Sequence, residues 1–146
     1  MKKNRGFSLL ELLIVVAIIL IISTIAIPSL LRARQAANET GAVSNLRAIN
    51  TAQVTYFSTN GSYGTFPDLS TARLMDSRFS ADGQIVGGYT YTITGGGTGN
   101  YEVSALVDGT SGRFNYYSGP DAVVRYRDAA AGETLPTART AGDPVG

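Results

Sequence analysis

The spacing of hydrophobic and polar positions changes twice along this chain. Residues 9–27 read LLELLIVVAIILIISTIAI, nineteen positions with Glu11 as the sole charge. As a helix rising 1.5 Å per residue, that run covers about 28 Å, close to the roughly 30 Å hydrocarbon core of a bilayer. The following stretch, LLRARQAANETGAVSNLRAINTAQVTYFS, is amphipathic. Ala42, Leu46, Ile49, Ala52 and Tyr56 recur at spacings of 4, 3, 3 and 4, a stripe that buries one helix face against a compact domain. Arg32, Arg34, Glu39 and Arg47 fall off that stripe and suit solvent or neighbouring subunits, reading as a solvated face rather than a site. Pro28 removes one backbone hydrogen bond inside the helix and predicts a kink. Gly41 weakens the second half by up to about 1 kcal/mol. The two patterns predict one helix over residues 8–58, about 75 Å long.

After residue 58 the period becomes two. Residues 59–87 mix turns with short apolar pieces, TNGSYG, FPDL and ARLMDSRF, and read as a connecting loop with one short helical piece. Tyr89, Tyr91 and Ile93 then alternate with threonines, and Tyr101, Val103, Ala105 and Val107 alternate with Glu102 and Ser104. RFNYYS and AVVRYR add two shorter strands. Turn signals between consecutive strands predict an antiparallel meander of about four strands over residues 88–127. Such a sheet needs a second layer, and the amphipathic helix supplies it. The fold class is α+β: a long N-terminal helix, hydrophobic over residues 7–31 and amphipathic over 32–58, packed on a small antiparallel sheet. Residues 32–146 form the head, and residues 128–146, rich in Ala, Gly, Thr and Pro, read as a loose tail.

Composition then removes most chemistry. The 146 residues contain no cysteine and no histidine. Disulfides, thiolate nucleophiles, imidazole bases and the commonest zinc ligands are therefore excluded. The remaining acids sit in turn contexts such as VDGTSG and SGPDA, so no catalytic residues are expected. The formal charge is +1, but Lys2, Lys3 and Arg5 stand apart from the rest. Residues 7–146 hold nine arginines against eleven acids, a net of −2. Those arginines are scattered and give nucleic acid no basic field to follow.

The basic MKKNR before the apolar run sets a cytoplasmic N-terminus, with everything after residue 32 on the far side of the membrane. A cleaved signal peptide predicts a shorter apolar core of about 7–15 residues and a small-residue exit, neither of which is present. A plain signal anchor fits length and orientation but leaves Glu11 unexplained. A carboxylate at the centre of a bilayer costs on the order of 2.5–3.5 kcal/mol. Snorkelling to the interface, close to the helix start, is one way to lower that cost.

KKNRG followed by FSLLELL resembles the leader and mature N-terminus of type IV prepilins and of the pseudopilins of type II secretion. The shared features are a short basic leader (Lys2, Lys3, Arg5) ending in Gly6, Phe7 after it, Glu11 four residues on, and a membrane-length helix. The resemblance covers about residues 2–57. It implies a leader over residues 1–6, cleavage after Gly6 by a prepilin peptidase, and N-methylation of Phe7. It also implies a polymer in which Glu11 of one subunit meets the Phe7 amine of a neighbour, since a buried charge is tolerable only when paired. Pro28 then falls in a stretch that the family uses as a partly melted, extensible segment, an ordinary transmembrane kink being the alternative.

The expected function is a structural subunit of a type IV pilus-like filament. Its partners would be identical subunits in a helical homopolymer, the peptidase, and an assembly ATPase with its platform protein. Before assembly it would be a single-pass inner-membrane protein, and afterwards part of an extracellular pilus or periplasmic pseudopilus. A major pseudopilin of a type II secretion system is the nearest alternative. A membrane-tethered extracytoplasmic binding domain is an alternative of another class; it predicts a cleft of converging polar groups, and the sequence presents no such cluster. No cofactor is expected. Calcium is a weak candidate through Asp121 and Asp128, with Glu133 and Asp143 as further oxygen donors, because related pseudopilins hold calcium in acidic C-terminal loops; no tight acidic spacing supports it.

Overall fold

The computed structural model describes residues 8–129 and 143–145. The chain divides into two compact units, Met1–Arg34 and Gln35–Gly146. In the first, helix α1 (Leu9–Asn60) begins, and the helical assignment continues through Pro28. Proline has no amide hydrogen, so the Thr24 carbonyl loses its usual i+4 donor there. The Thr24 hydroxyl bonds one turn back, to the Ile21 carbonyl at 2.7 Å, and Ser23 does the same to Ile19 at 2.7 Å. The helix outruns the sequence expectation by two residues at its C-terminal end. Gly61, at φ +70°, closes it by donating its amide to the Phe57 carbonyl at 2.8 Å, as a glycine in the left-handed region commonly does.

The second unit sets the C-terminal half of α1 against a six-stranded antiparallel sheet in simple sequential order. The strands are β1 (Gln84–Val86), β2 (Tyr89–Gly95), β3 (Tyr101–Val107), β4 (Phe114–Ser118), β5 (Arg125–Asp128) and β6 (Asp143–Pro144). The four-strand expectation identified the middle of this meander and missed both edges. β1 is three residues long, in a segment expected to be loop, and pairs Gln84 with Tyr91 and Val86 with Tyr89. β6 lies in the stretch expected to be a loose tail, and the Val145 amide donates to the Val124 carbonyl at 2.8 Å. Neither edge has enough residues to display a period of two, so pairing alone defines them.

The connecting region also carries α2 (Phe66–Thr71) and a single 3-10 turn, Ser77–Phe79. The Thr65 amide donates to the Asp68 carboxylate at 2.8 Å and starts α2, with Pro67 in its first turn. Phe66, Leu69 and Phe79 from this region are buried in the core.

That core forms where the α1 stripe meets the inner face of β2, β3 and β4. Ala42, Leu46, Ile49 and Ala52 are buried, as their spacing requires. Opposite them lie Tyr89, Tyr91 and Ile93, then Tyr101, Val103 and Ala105, then Tyr116. Three of these are tyrosines at 0–1% exposure, so their hydroxyls need partners inside the protein. Asn45 donates to the Tyr91 hydroxyl at 3.0 Å, Tyr101 donates to Asn50 Oδ1 at 2.9 Å, and Tyr89 donates to the Phe114 carbonyl at 3.1 Å.

Candidate functional site

The region singled out by the sequence is the start of α1. Lys2, Lys3, Arg5, Gly6 and Phe7, the residues of the expected leader and processing site, lie outside the described residues. Glu11 lies in the first turn of α1 and is exposed. Its amide donates to the Ser8 carbonyl at 3.1 Å. An acid in a first helical turn is favoured by the unpaired amides and the helix dipole.

Around Glu11 the helix is apolar on every side, and among the described residues nothing buries it. Leu9 is 81% exposed, Ile18 51% and Ile25 73%. The most apolar window of α1 has a mean hydropathy of 3.0 with none of its residues buried. Side chains of this kind in contiguous array mark a membrane or protein contact rather than a solvated surface. Among the described residues, α1 is the helix long and apolar enough to cross a membrane.

Within the head, polar side chains on α1 fix its docking on the sheet and loops. Gln53, fully buried, offers its amide group as a surrogate backbone: Nε2 donates to the Gly64 carbonyl at 2.7 Å and Oε1 accepts the Gly64 amide at 3.0 Å. Asn50 donates to the Ser118 hydroxyl at 2.8 Å, which in turn donates to the Val123 carbonyl at 3.0 Å. Asn38 and Gln35 donate to the Ser111 and Thr110 carbonyls at 2.9 and 3.1 Å.

Glu39 departs from the solvated role expected of it. It is 7% exposed and accepts from Arg113 three times, from the backbone amide at 2.8 Å and from Nε and Nη2 at 3.1 Å each. Burial pushes the Glu39 carboxyl up, but the Arg113 hydrogen bonds and charge outweigh it and hold it below the usual range. Arg32, Arg34 and Arg47 are exposed. The loop reached by Gln35, Asn38 and Glu39 is organised by Asp108, whose carboxylate accepts from the Thr110 and Ser111 amides at 2.9 and 2.8 Å. Those bonds lower its pKa to about 2. Asparagines and glutamines flanking the apolar stripe are the sequence signal that would have revealed this docking.

The calcium candidates are placed apart in role. Asp121 pairs with Arg125 at 2.7 Å, and Asp128 ends β5 opposite Phe114. Asp143 lies in β6 and Glu133 is outside the described residues. Among the described residues no three His, Cys, Asp or Glu side chains cluster as a metal site.

A helix with a membrane-length apolar stretch and an amphipathic stretch buried against an antiparallel sheet defines a class of helix-led α+β proteins. Residues 1–27 match the family model of the prokaryotic N-terminal methylation motif. The chain is similar to the type IV major pilin protein PilA of Myxococcus xanthus, with 45% identity over 64 residues, 44% of this chain and 29% of that protein. It is also similar to the type IV wide pilus major component PilA4 of Thermus thermophilus, with 44% identity over 63 residues, 43% of this chain and 48% of that protein. The matched stretch spans less than half the length of either relative.

Proposed function

We propose that this chain is a pilin, a structural subunit that polymerises into a type IV pilus-like filament through its N-terminal helix. The observation that carries the reading is the apolar half of α1, none of whose large hydrophobic side chains is buried among the described residues, headed by the methylation motif. In the membrane, lipid covers that surface. In the filament, copies of the same helix cover it. Maturation is cleavage after Gly6 by a prepilin peptidase and methylation of the new Phe7 amine. The amine and Glu11 then form a charge pair between neighbouring subunits. Breaking such a pair by removing one member costs about 3–5 kcal/mol, so it disciplines register even where its net stabilisation is small. The chain contributes no catalysis; an ATPase and platform protein supply the work of assembly.

Intact-mass measurement on fibres sheared from cells tests the reading. The expected subunit begins at Phe7 and carries one methyl group. Fibres built from chains that retain Met1 would remove the basis of the proposal.

A further inference from the structure

The turn of α1 just inside the head is held differently from the helix beyond it. Residues 35–41 contribute no apolar side chain to the core, and the buried apolar stripe begins at Ala42. The attachments of this turn are polar. Gln35 and Asn38 donate to the Thr110 and Ser111 carbonyls, and Glu39 accepts from the Arg113 amide and guanidinium. All of these bonds reach one short loop, residues 108–113, between β3 and β4. That loop keeps its own order, because the Asp108 carboxylate accepts from the amides and the hydroxyls of Thr110 and Ser111. Its shape therefore persists when the helix leaves it. A segment held without buried apolar contacts opens locally before the rest of a fold.

Gly41 follows this turn directly. It is exposed and helical, and a Cβ there meets nothing within 4 Å. Neither packing nor a positive φ asks for glycine at this position. What glycine supplies is a weakened helix, placed between the polar turn and the first buried apolar residue. We propose that Gly41 is a hinge, and that the contacts of Gln35, Asn38 and Glu39 with residues 110–113 are its catch. With the catch shut, the turn is fixed to the loop. With the catch open, the turn swings off the loop while the core from Ala42 onward stays closed, since no buried apolar side chain has to leave. A load carried along α1 meets the catch before it meets the core. The device lies within the Gln35–Gly146 unit and does not depend on the assembly reading.

The test uses the full chain in detergent micelles. The chain has no cysteine, so pairs of nitroxide labels can be placed on introduced ones. Ala37→Cys with Thr94→Cys spans the hinge, and Ala48→Cys with Thr94→Cys lies wholly beyond it; all of these positions are exposed. Asn38→Ala combined with Glu39→Ala opens the catch. Dipolar EPR should then show the 37–94 distances broaden or split while the 48–94 distances hold. Adding Gly41→Ala should narrow the 37–94 distances again with the catch still open. Unchanged 37–94 distances, equal broadening of both pairs, or no effect of Gly41→Ala overturns the proposal. Hydrogen exchange on the unsubstituted chain gives a reading that needs no variant to fold. Amides of residues 39–43 should exchange about 10-fold faster than those of residues 49–53, and equal protection of the two sets overturns the hinge.

Discussion

Glu39 and Arg113, 74 positions apart, meet through three hydrogen bonds that tie α1 to the start of β4. The carboxylate is nearly enclosed while the guanidinium is 63% exposed. Loss of Glu39 therefore leaves the Arg113 backbone amide unanswered but the Arg113 charge in water. Glu39→Ala should destabilise the head by about 1.5–3 kcal/mol, the range for hydrogen bonds to charged groups. The pH dependence follows from the sign of the shift. The folded pKa of Glu39 lies below its unfolded value, so its stabilisation is present above the unfolded pKa and disappears as pH falls through the folded one. Asp108 behaves in the same sense, with its folded pKa at about 2. Urea midpoints should fall steadily below about pH 4.5, and the fall should be shallower in Glu39→Ala.

The buried Asn50 links Tyr101 on β3 to Ser118 on β4. Tyr101→Phe orphans Asn50 Oδ1 and should cost about 1–3 kcal/mol. Asn50→Ala leaves the tyrosine hydroxyl without its acceptor and removes one of two partners of the serine hydroxyl, which keeps its bond to the Val123 carbonyl. The double variant should be less destabilised than the sum of the two, because contacting partners are not additive. Chemical denaturation of the four chains of this cycle measures the coupling, and strict additivity would mean that the hydrogen bond contributes nothing.

Two glycines should respond in opposite directions. Gly41 is exposed in α1, and a Cβ there meets nothing within 4 Å. Gly41→Ala should raise head stability by about 0.5–1 kcal/mol. At Gly112 a Cβ would overlap the Tyr89 hydroxyl, which is locked to the Phe114 carbonyl. Gly112→Ala should cost about 1–3 kcal/mol as an overpacking change. Adding Tyr89→Phe should recover part of that loss, a result that thermal unfolding of the single and double variants can read.

Residues 35–146 should fold alone as a soluble monomer. They form a compact unit that contains the whole buried stripe, while the apolar surface that seeks a partner lies before Gln35. Size-exclusion chromatography with light scattering is the check. Unaided fibre formation by this fragment would place the polymerising surface in the head and contradict the proposed role of the apolar helix.

Glu11→Gln distinguishes an assembly role from a local one. Membrane insertion should be unaffected or easier, since a charge leaves the apolar run. Leader cleavage should continue, because Gly6 and the basic residues are unchanged. Fibre number per cell should collapse if the charge pairs with a neighbour's amine, given the roughly 3–5 kcal/mol penalty for half of a buried pair. If Glu11 serves only the first turn of its own helix, the loss is at most about 1 kcal/mol and fibre counts stay normal.

The membrane-length helix, its amphipathic continuation, the α+β class and the central strands were legible in the sequence because each is written in a local period. Leu46, Ile49 and Ala52 are buried where a repeat of 3.6 places them, and Tyr89, Tyr91 and Ile93 where a repeat of two does. The methylation motif was equally legible, since it is a contiguous string at residues 1–27. What lacks a local period was decided by tertiary structure. β1 and β6 exist only because longer neighbours offer them an edge. Glu39 reads as a solvated helix charge until Arg113 arrives from the loop before β4. Asn50 and Gln53 read as ordinary polar positions until Tyr101 and Gly64 require them. The physical reason is common to all of these: a repeat shows which face a residue occupies, but the partner waiting on that face is fixed by distant chain, through hydrogen bonds and charges that carry no sequence spacing.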